Sequence, residues 1–181
     1  DYPYSQEMYQ TYDDKSNFNK MKFIPGYAML LNMQSINTIG LFDENIFMYF
    51  EEFDFCLRAN KFNIPIYLIE DINISHLGAS SSDEIYSHEL HINRNWHYCW
   101  SKFYYIRKYS NYFYAIKKTF SILVKASIKC IKCKLSNNKK QYQIHLAEVK
   151  GLIAAYLLKK STYRPYESLK KKEYKKFFDR S

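Results

Sequence analysis

Between Phe42 and Arg58 the chain reads "FDENIFMYFEEFDFCLR", which gathers five carboxylates, Asp43, Glu44, Glu51, Glu52 and Asp54, toward one arginine. Six aromatic side chains, Phe42, Phe47, Tyr49, Phe50, Phe53 and Phe55, lie among them. Like charges this close repel, so the group calls for a cation, a shared proton or a polar substrate. Arg58 can pair with Asp54 or Asp43 and hold the acidic turn in place. A plainer role stands beside these, because acids in a helix's first turn also serve as partners of the helix dipole, and Asp54 fits that role.

The elements around the cluster follow from hydrophobic spacing. "FMYFEEFDFCLRANKFN" places Phe50, Phe53, Cys56 and Leu57 at helical intervals, with Glu51, Glu52 and Asp54 in the first turns. Ahead of it, "KFIPGYAMLLN" reads as a buried strand interrupted at Pro25 and Gly26, and "MQSINTIG" as a short helix stopped by Gly40. Behind it, "IPIYLIEDINISHLG" reads as two short strands around Glu70 and Asp71. Strand, helix, strand is the order of an α/β fold. Residues 1 to 22 are polar and Tyr-rich without a clear period, which predicts a loop or covering segment.

A chain of 181 residues with 47% hydrophobic and 19% aromatic content can bury one real core. The net charge of +9 conceals an asymmetry: residues 1 to 90 hold fourteen acidic and five basic side chains, residues 91 to 181 four and twenty-two. The halves therefore sum to −9 and +18, which implies different partners for each. The chain opens at Asp1 without a signal-peptide pattern, and a fragment is expected. Cys56, Cys99, Cys130 and Cys133 do not make a small-domain disulfide framework. The C-x-x-C of Cys130 and Cys133 lacks the second pair that tetrahedral zinc requires. No internal repeat is present, and no uninterrupted apolar run is long enough to span a bilayer.

Residues 86 to 109 and 112 to 134 read as two helices. On the second, Lys117, Lys118, Lys125, Lys129 and Lys132 share one sector, with Ile116, Phe120, Leu123 and Cys130 opposite. Such a basic amphipathic helix serves either to attach to an anionic membrane surface or to pack on the domain with a solvated lysine face. "KLSNNKKQ" reads as a polar connection, "IHLAEVKGLIAAYLLKK" as a further amphipathic helix, and the end as a basic tail. No nucleic-acid-binding motif accompanies the charge, so nucleic acid is not an expected partner.

The ordered string "GYAMLL … IGLFDENIFMYFEEFDFCLRANKFNIPIYLIEDINISHLGASS" resembles the C-terminal half of the catalytic domain in family 2 (GT-A) glycosyltransferases, especially the rhamnosyltransferase-like branch. The pattern there is a G-A-x-M-L strand, then G-G-F-D-E-x-F-F-x-Y-x-E-D-x-D-L-C-x-R, then a strand ending in H-x-G-G-S. The likeness covers about 55 residues and extends, more weakly, to "RNW … FYYIRKY" and "AEVKGLIAAYLLKKSTYRPYE". Two departures bear on the roles: Glu52 stands where the family often has Asp, and Gly78-Ala79 replaces Gly-Gly after His76.

The resemblance implies roles. Glu52 would be the base that takes the acceptor hydroxyl's proton, and Glu51 beside it would raise the pair's proton affinity and shape the acceptor site. His76 would bind a divalent metal, Mn²⁺ or Mg²⁺, or the donor diphosphate. Asp43 and Glu44 would cap a turn and line the acceptor pocket with Asp54 and Arg58. Gly26 would let the backbone approach an acceptor sugar.

The expected fold is thus α/β, the C-terminal portion of a GT-A (Rossmann-like) nucleotide-diphospho-sugar transferase, followed by amphipathic helices. Residues 1–90 would be the acceptor-side half of the catalytic domain, 91–135 the basic amphipathic helices, and 136–181 a C-terminal helix and basic tail. The family's N-terminal half supplies the nucleotide-binding βαβ units and a D-x-D motif, and neither is recognisable in this sequence. The expected activity is sugar transfer from a nucleotide-sugar donor to a polysaccharide or lipid-linked oligosaccharide, by an incomplete chain at the cytoplasmic face of the cell membrane. The alternative is a non-catalytic remnant that binds a membrane or a partner.

Overall fold

The computed structural model describes residues 18–69, 71–75 and 87–163. The chain divides into two compact units, Asp1–Ala79 and Ser80–Ser181. Among the described residues are five helices and one two-stranded sheet, so the chain is mostly helical and α/β describes it only loosely.

In the first unit, β1 (Phe18–Met21) pairs antiparallel with β2 (Ile66–Ile69), Phe18 opposite Ile69 and Met21 opposite Ile66. Strand β1 thus lies within the stretch expected to be a loop. The strand expected over residues 22 to 32 does not form: Phe23 is buried, but Leu30 is 94% exposed and the segment carries no ladder. The pairing stops at Met21 opposite Ile66, and Pro25 has no N–H with which to resume it. Of the two strands expected around Glu70 and Asp71, β2 forms. Residues 72 to 75 are not a strand, and Ile72 and Ile74 face solvent.

Helix α1 (Met33–Ile39) starts at Asn32, whose Oδ1 accepts from the Gln34 and Ser35 amides at 2.9 and 3.4 Å, and stops at Gly40, φ 76°. Helix α2 (Glu51–Lys61) buries Phe53, Asp54, Phe55, Cys56 and Ala59. Ile36 and Ile39 of α1 meet Phe55 and Ala59 of α2 in one apolar cluster, with Ile66 of β2 packed against it. Helix α2 is shorter at its start than the spacing predicts, because Tyr49 and Phe50 take positive φ and break the helical path.

The second unit packs α3 (Ser87–Tyr109), α4 (Tyr112–Leu135) and α5 (Lys139–Tyr156) against one another. Its core joins Trp96, Cys99, Trp100 and Phe103 of α3 to Ala115 of α4 and to Leu152 and Ala155 of α5. Asn111 and Asn138 cap α4 and α5 through their side chains. The second cap starts α5 inside the stretch expected to be a connection. Leu158, at φ 55°, closes the helix short of the expected Lys160, with the Lys159 amide donating to the Ala154 carbonyl at 2.9 Å.

Beyond α5 the chain returns across α3. His97, fully buried, meets Ser161 Oγ at 2.9 Å and the Tyr163 carbonyl at 3.0 Å, and Trp100 Nε1 donates to the Lys159 carbonyl at 2.9 Å. These bonds satisfy polar groups that the helix packing takes out of water.

Candidate functional site

The local path into α2 is unusual. Tyr49 and Phe50 stand at φ 65° and 70°, a region that costs roughly 1–3 kcal/mol for each non-glycine residue placed there. Packing supports the turn: Phe50 is buried with its ring 5.5 Å from Phe53, and Phe53 stacks on Phe23 at 4.3 Å. The reversal delivers Glu51 and Glu52 as the first two residues of α2, beside amide N–H groups with no helical acceptor. Phe50 offers no side-chain cap.

Both glutamates are half-buried, and the Oε2 atom of each is out of contact with solvent and without a hydrogen-bond partner. Burial pushes the Glu51 carboxyl above the ordinary carboxylate range, partly offset by a hydrogen bond from its own backbone N–H. Burial raises Glu52 likewise, its own N–H again opposing, and the neighbouring Glu51 charge adds to the rise. The helix dipole should favour both anions, yet desolvation outweighs it. The result is a carboxylate pair with raised proton affinity and two unengaged oxygens.

Gly26 borders this pair. A Cβ added there would stand 3.4 Å from Glu52 Cβ and 3.8 Å from its Cγ and Cδ. The glycine expected to let an acceptor sugar approach therefore lies against the Glu52 side chain.

Asp54 and Arg58 tie the same helix to α1. Asp54 is 0% exposed, and Arg58 Nε donates to its Oδ2 at 2.8 Å. The rest of the guanidinium grips the end of α1, donating to the carbonyls of Ile39, Gly40 at 3.1 Å and Leu41 at 2.7 Å. One arginine thus ties α2 to the turn that leads into the acidic loop. Asp43 folds that loop: its Oδ1 accepts from the Asn45 backbone amide at 2.9 Å and side-chain amide at 2.8 Å. Its carbonyl accepts from Ile46 N at 2.9 Å, and Glu44 at the same turn is exposed. The structure thus brings Gly26 against Glu52, joins Arg58 to Asp54 on the same helix and to the end of α1, and gives Asp43 a turn to hold.

His76 lies outside the described residues. Among the described residues no group of three or more His, Cys, Asp or Glu side chains is arranged to hold a metal ion. The free oxygens of Glu51 and Glu52 are hard donors of the type Mg²⁺ and Mn²⁺ accept, but two carboxylates fall short of the oxygen cage those ions take. The described residues alone therefore do not fit a metal site.

The left-handed pair Tyr49-Phe50 was not legible in the sequence. Positive φ is normally announced by Gly or Asn, whereas here aromatic packing imposes it. On α4, Ala115, Thr119 and Ala126 form the buried line, with Ile116, Ile122 and Leu123 partly covered. Phe120, expected on the apolar side opposite the lysines, is 55% exposed. Small residues line the buried face because α4 lies close to its neighbours.

Comparison of the chain with protein-family models, with curated proteins and with solved structures gave no match.

Proposed function

We propose that the chain is the acceptor-side portion of an inverting glycosyltransferase of the GT-A, rhamnosyltransferase-like kind, moving a sugar from a nucleotide-diphosphate donor to a polysaccharide or lipid-linked oligosaccharide. The observation that carries this reading is the Glu51–Glu52 pair, half-buried, raised in proton affinity and with an unengaged Oε2 on each residue. A carboxylate whose proton affinity is raised by burial takes a hydroxyl proton more readily than an ordinary one.

In the proposed step the acceptor oxygen forms a bond to the anomeric carbon as its proton passes to the Glu52 carboxylate. The bond from that carbon to the diphosphate breaks, and the nucleoside diphosphate leaves with the electron pair. Glu51 keeps the proton affinity of Glu52 high, and the aromatic packing of Phe50, Phe53 and Phe23 fixes where both carboxylates stand. A divalent cation, which His76 would help to hold, would neutralise the leaving diphosphate.

The donor nucleotide site belongs, in this reading, to a separate βαβ layer. The exposed apolar side chains of the first unit, Leu30, Tyr67, Ile72 and Ile74, offer a surface for such a layer. The enzyme would work on the cytoplasmic face of a membrane. A second reading, a non-catalytic membrane-binding remnant, draws on the exposed apolar residues of α4 and predicts no dependence on Glu52.

The test, run with the βαβ layer that carries the donor site supplied together with this chain, is transfer of labelled sugar from dTDP- and UDP-sugars, with Mn²⁺, to lipid and polysaccharide acceptors. Glu52→Gln is expected to slow transfer by about 10²–10⁴-fold while the circular dichroism spectrum is unchanged. Transfer at the wild-type rate in that variant would overturn the assignment.

A further inference from the structure

Helix α4 has three faces rather than two. Ala115, Thr119 and Ala126 are buried against the bundle. A second line, Phe113, Phe120, Val124, Ile128, Ile131 and Leu135, is apolar and exposed, at 81% for Phe113, 61% for Ile131 and 83% for Leu135. On a 100°-per-residue wheel these six fall within a sector of about 80°. Lys117 sits inside that sector, and Lys118, Lys125, Lys129 and Lys132 run along one margin of it with Tyr114. The helix contains no acidic residue.

We propose that this face of α4 lies on an anionic lipid bilayer, its apolar line in the acyl boundary and its lysines at the phosphate level. A 24-residue helix is about 36 Å long, and the apolar line runs from its first turn to its last. An interfacial helix has this composition, with apolar and aromatic side chains on one face and lysines beside it. Lysine stems lie along apolar surface while the ammonium groups reach out to phosphate, which accommodates Lys117 within the line. Tyr114 at the margin suits the headgroup region for the same reason. No described helix is long and apolar enough to cross a membrane, so the contact is along the surface.

Charge separates this occupant from two others. A second copy of the chain would set one lysine row against another. The chain's own end, residues 164–181, holds seven Lys/Arg and three Asp/Glu, so it too is of the wrong sign. The inference stands on α4 and not on the reaction, so its failure would leave the glycosyl-transfer reading intact, and the reverse holds.

The experiment is flotation of the full chain with vesicles of phosphatidylcholine alone and of equal parts phosphatidylcholine and phosphatidylglycerol. The expected result is at least tenfold stronger partition to the anionic vesicles. Lys125→Gln with Lys129→Gln should lower that partition about tenfold, since each lysine near an anionic surface contributes separately. Phe120→Ser with Ile131→Ser leaves the charge unchanged and, both positions being exposed, the fold as well. It should lower partition at least tenfold, which a basic tail acting alone would not produce. Equal partition to both vesicle types, or partition unmoved by the Phe120→Ser, Ile131→Ser pair, would overturn the proposal. A dimer in sedimentation equilibrium that this pair dissolves, without vesicle binding, would overturn it in favour of a second copy. Binding to polyglutamate without vesicle binding would overturn it in favour of an acidic protein.

Discussion

Gly26 and Glu52 face each other so closely that a methyl group on the glycine would come within 3.4 Å of the glutamate's Cβ. That is ordinary van der Waals distance, so Gly26→Ala should fit. It is expected to stabilise the first unit by up to about 1 kcal/mol, because alanine restricts the unfolded chain more than glycine does. Gly26→Leu has no such room and must push the Glu52 side chain aside. A displacement of about 1 Å should lower transfer roughly 100-fold with little loss of structure. Full activity in Gly26→Leu would show that Glu52 does not need its present place.

The Asp54–Arg58 pair makes a sharper prediction about stability. Asp54 is wholly buried, and Arg58 bonds to it and to three carbonyls at the end of α1. Arg58→Ala should cost about 3–5 kcal/mol in the first unit, since it takes the guanidinium away from a wholly buried carboxylate and from the end of α1. Arg58→Lys cannot reproduce the fork and should recover only part of that loss. Urea denaturation followed by Trp-independent signals such as backbone amide exchange would read the first unit separately, because Trp96 and Trp100 both lie in the second.

The raised carboxyls set a pH dependence. Glu51 and Glu52 hold their protons to higher pH in the folded chain than in the unfolded one. Their contribution to stability is therefore fully present below the ordinary carboxylate pKa. It is lost as pH rises through the window up to the folded value and stays lost above it. Glu52→Gln, which resembles the protonated form, should raise the urea midpoint near neutral pH, and this gain should vanish in acid. A lower midpoint at neutral pH would contradict the desolvated environment assigned to Glu52.

Gly151 of α5 lies directly against the backbone of α3. A Cβ there would fall 2.4 Å from the Trp96 carbonyl oxygen and 3.1 Å from its carbon. The obstacle is helix backbone, not a flexible side chain, so α3 and α5 must separate. Gly151→Ala should destabilise the bundle by about 1–3 kcal/mol or more, read as a lowered thermal midpoint. An unchanged midpoint would mean the helices slide apart freely.

What the sequence made legible depended on how local the cause was. Helix α1 was readable because Gly40 ends it, and α3 and α4 because long amphipathic runs admit no other element. For Arg58 the sequence offered two partners, Asp54 or Asp43, and the structure pairs it with Asp54, its neighbour four residues back on the helix. Strand pairing was not readable: β1 and β2 are joined across more than forty residues, and nothing in "FNKM" announces its partner. The exposure of Phe120 was not readable because a wheel divides a helix into two faces, whereas α4 buries small residues, half-covers Ile116, Ile122 and Leu123, and leaves Phe113, Phe120, Ile131 and Leu135 outside. At the candidate site the acids were evident from composition. The Tyr49-Phe50 turn that presents them arises from tertiary packing of aromatic rings.

The proposed transfer depends most on Glu51 and Glu52 forming one half-buried pair with raised proton affinity. Carbon-13 NMR titration of the glutamate carboxyls, in the wild-type chain and in Glu51→Gln, measures this directly. The Glu52 carboxyl is expected to titrate above the ordinary range and to move down when Glu51 loses its charge. Titration of both carboxyls at ordinary values, with Glu52 indifferent to the substitution, would contradict the site on which the proposed transfer depends.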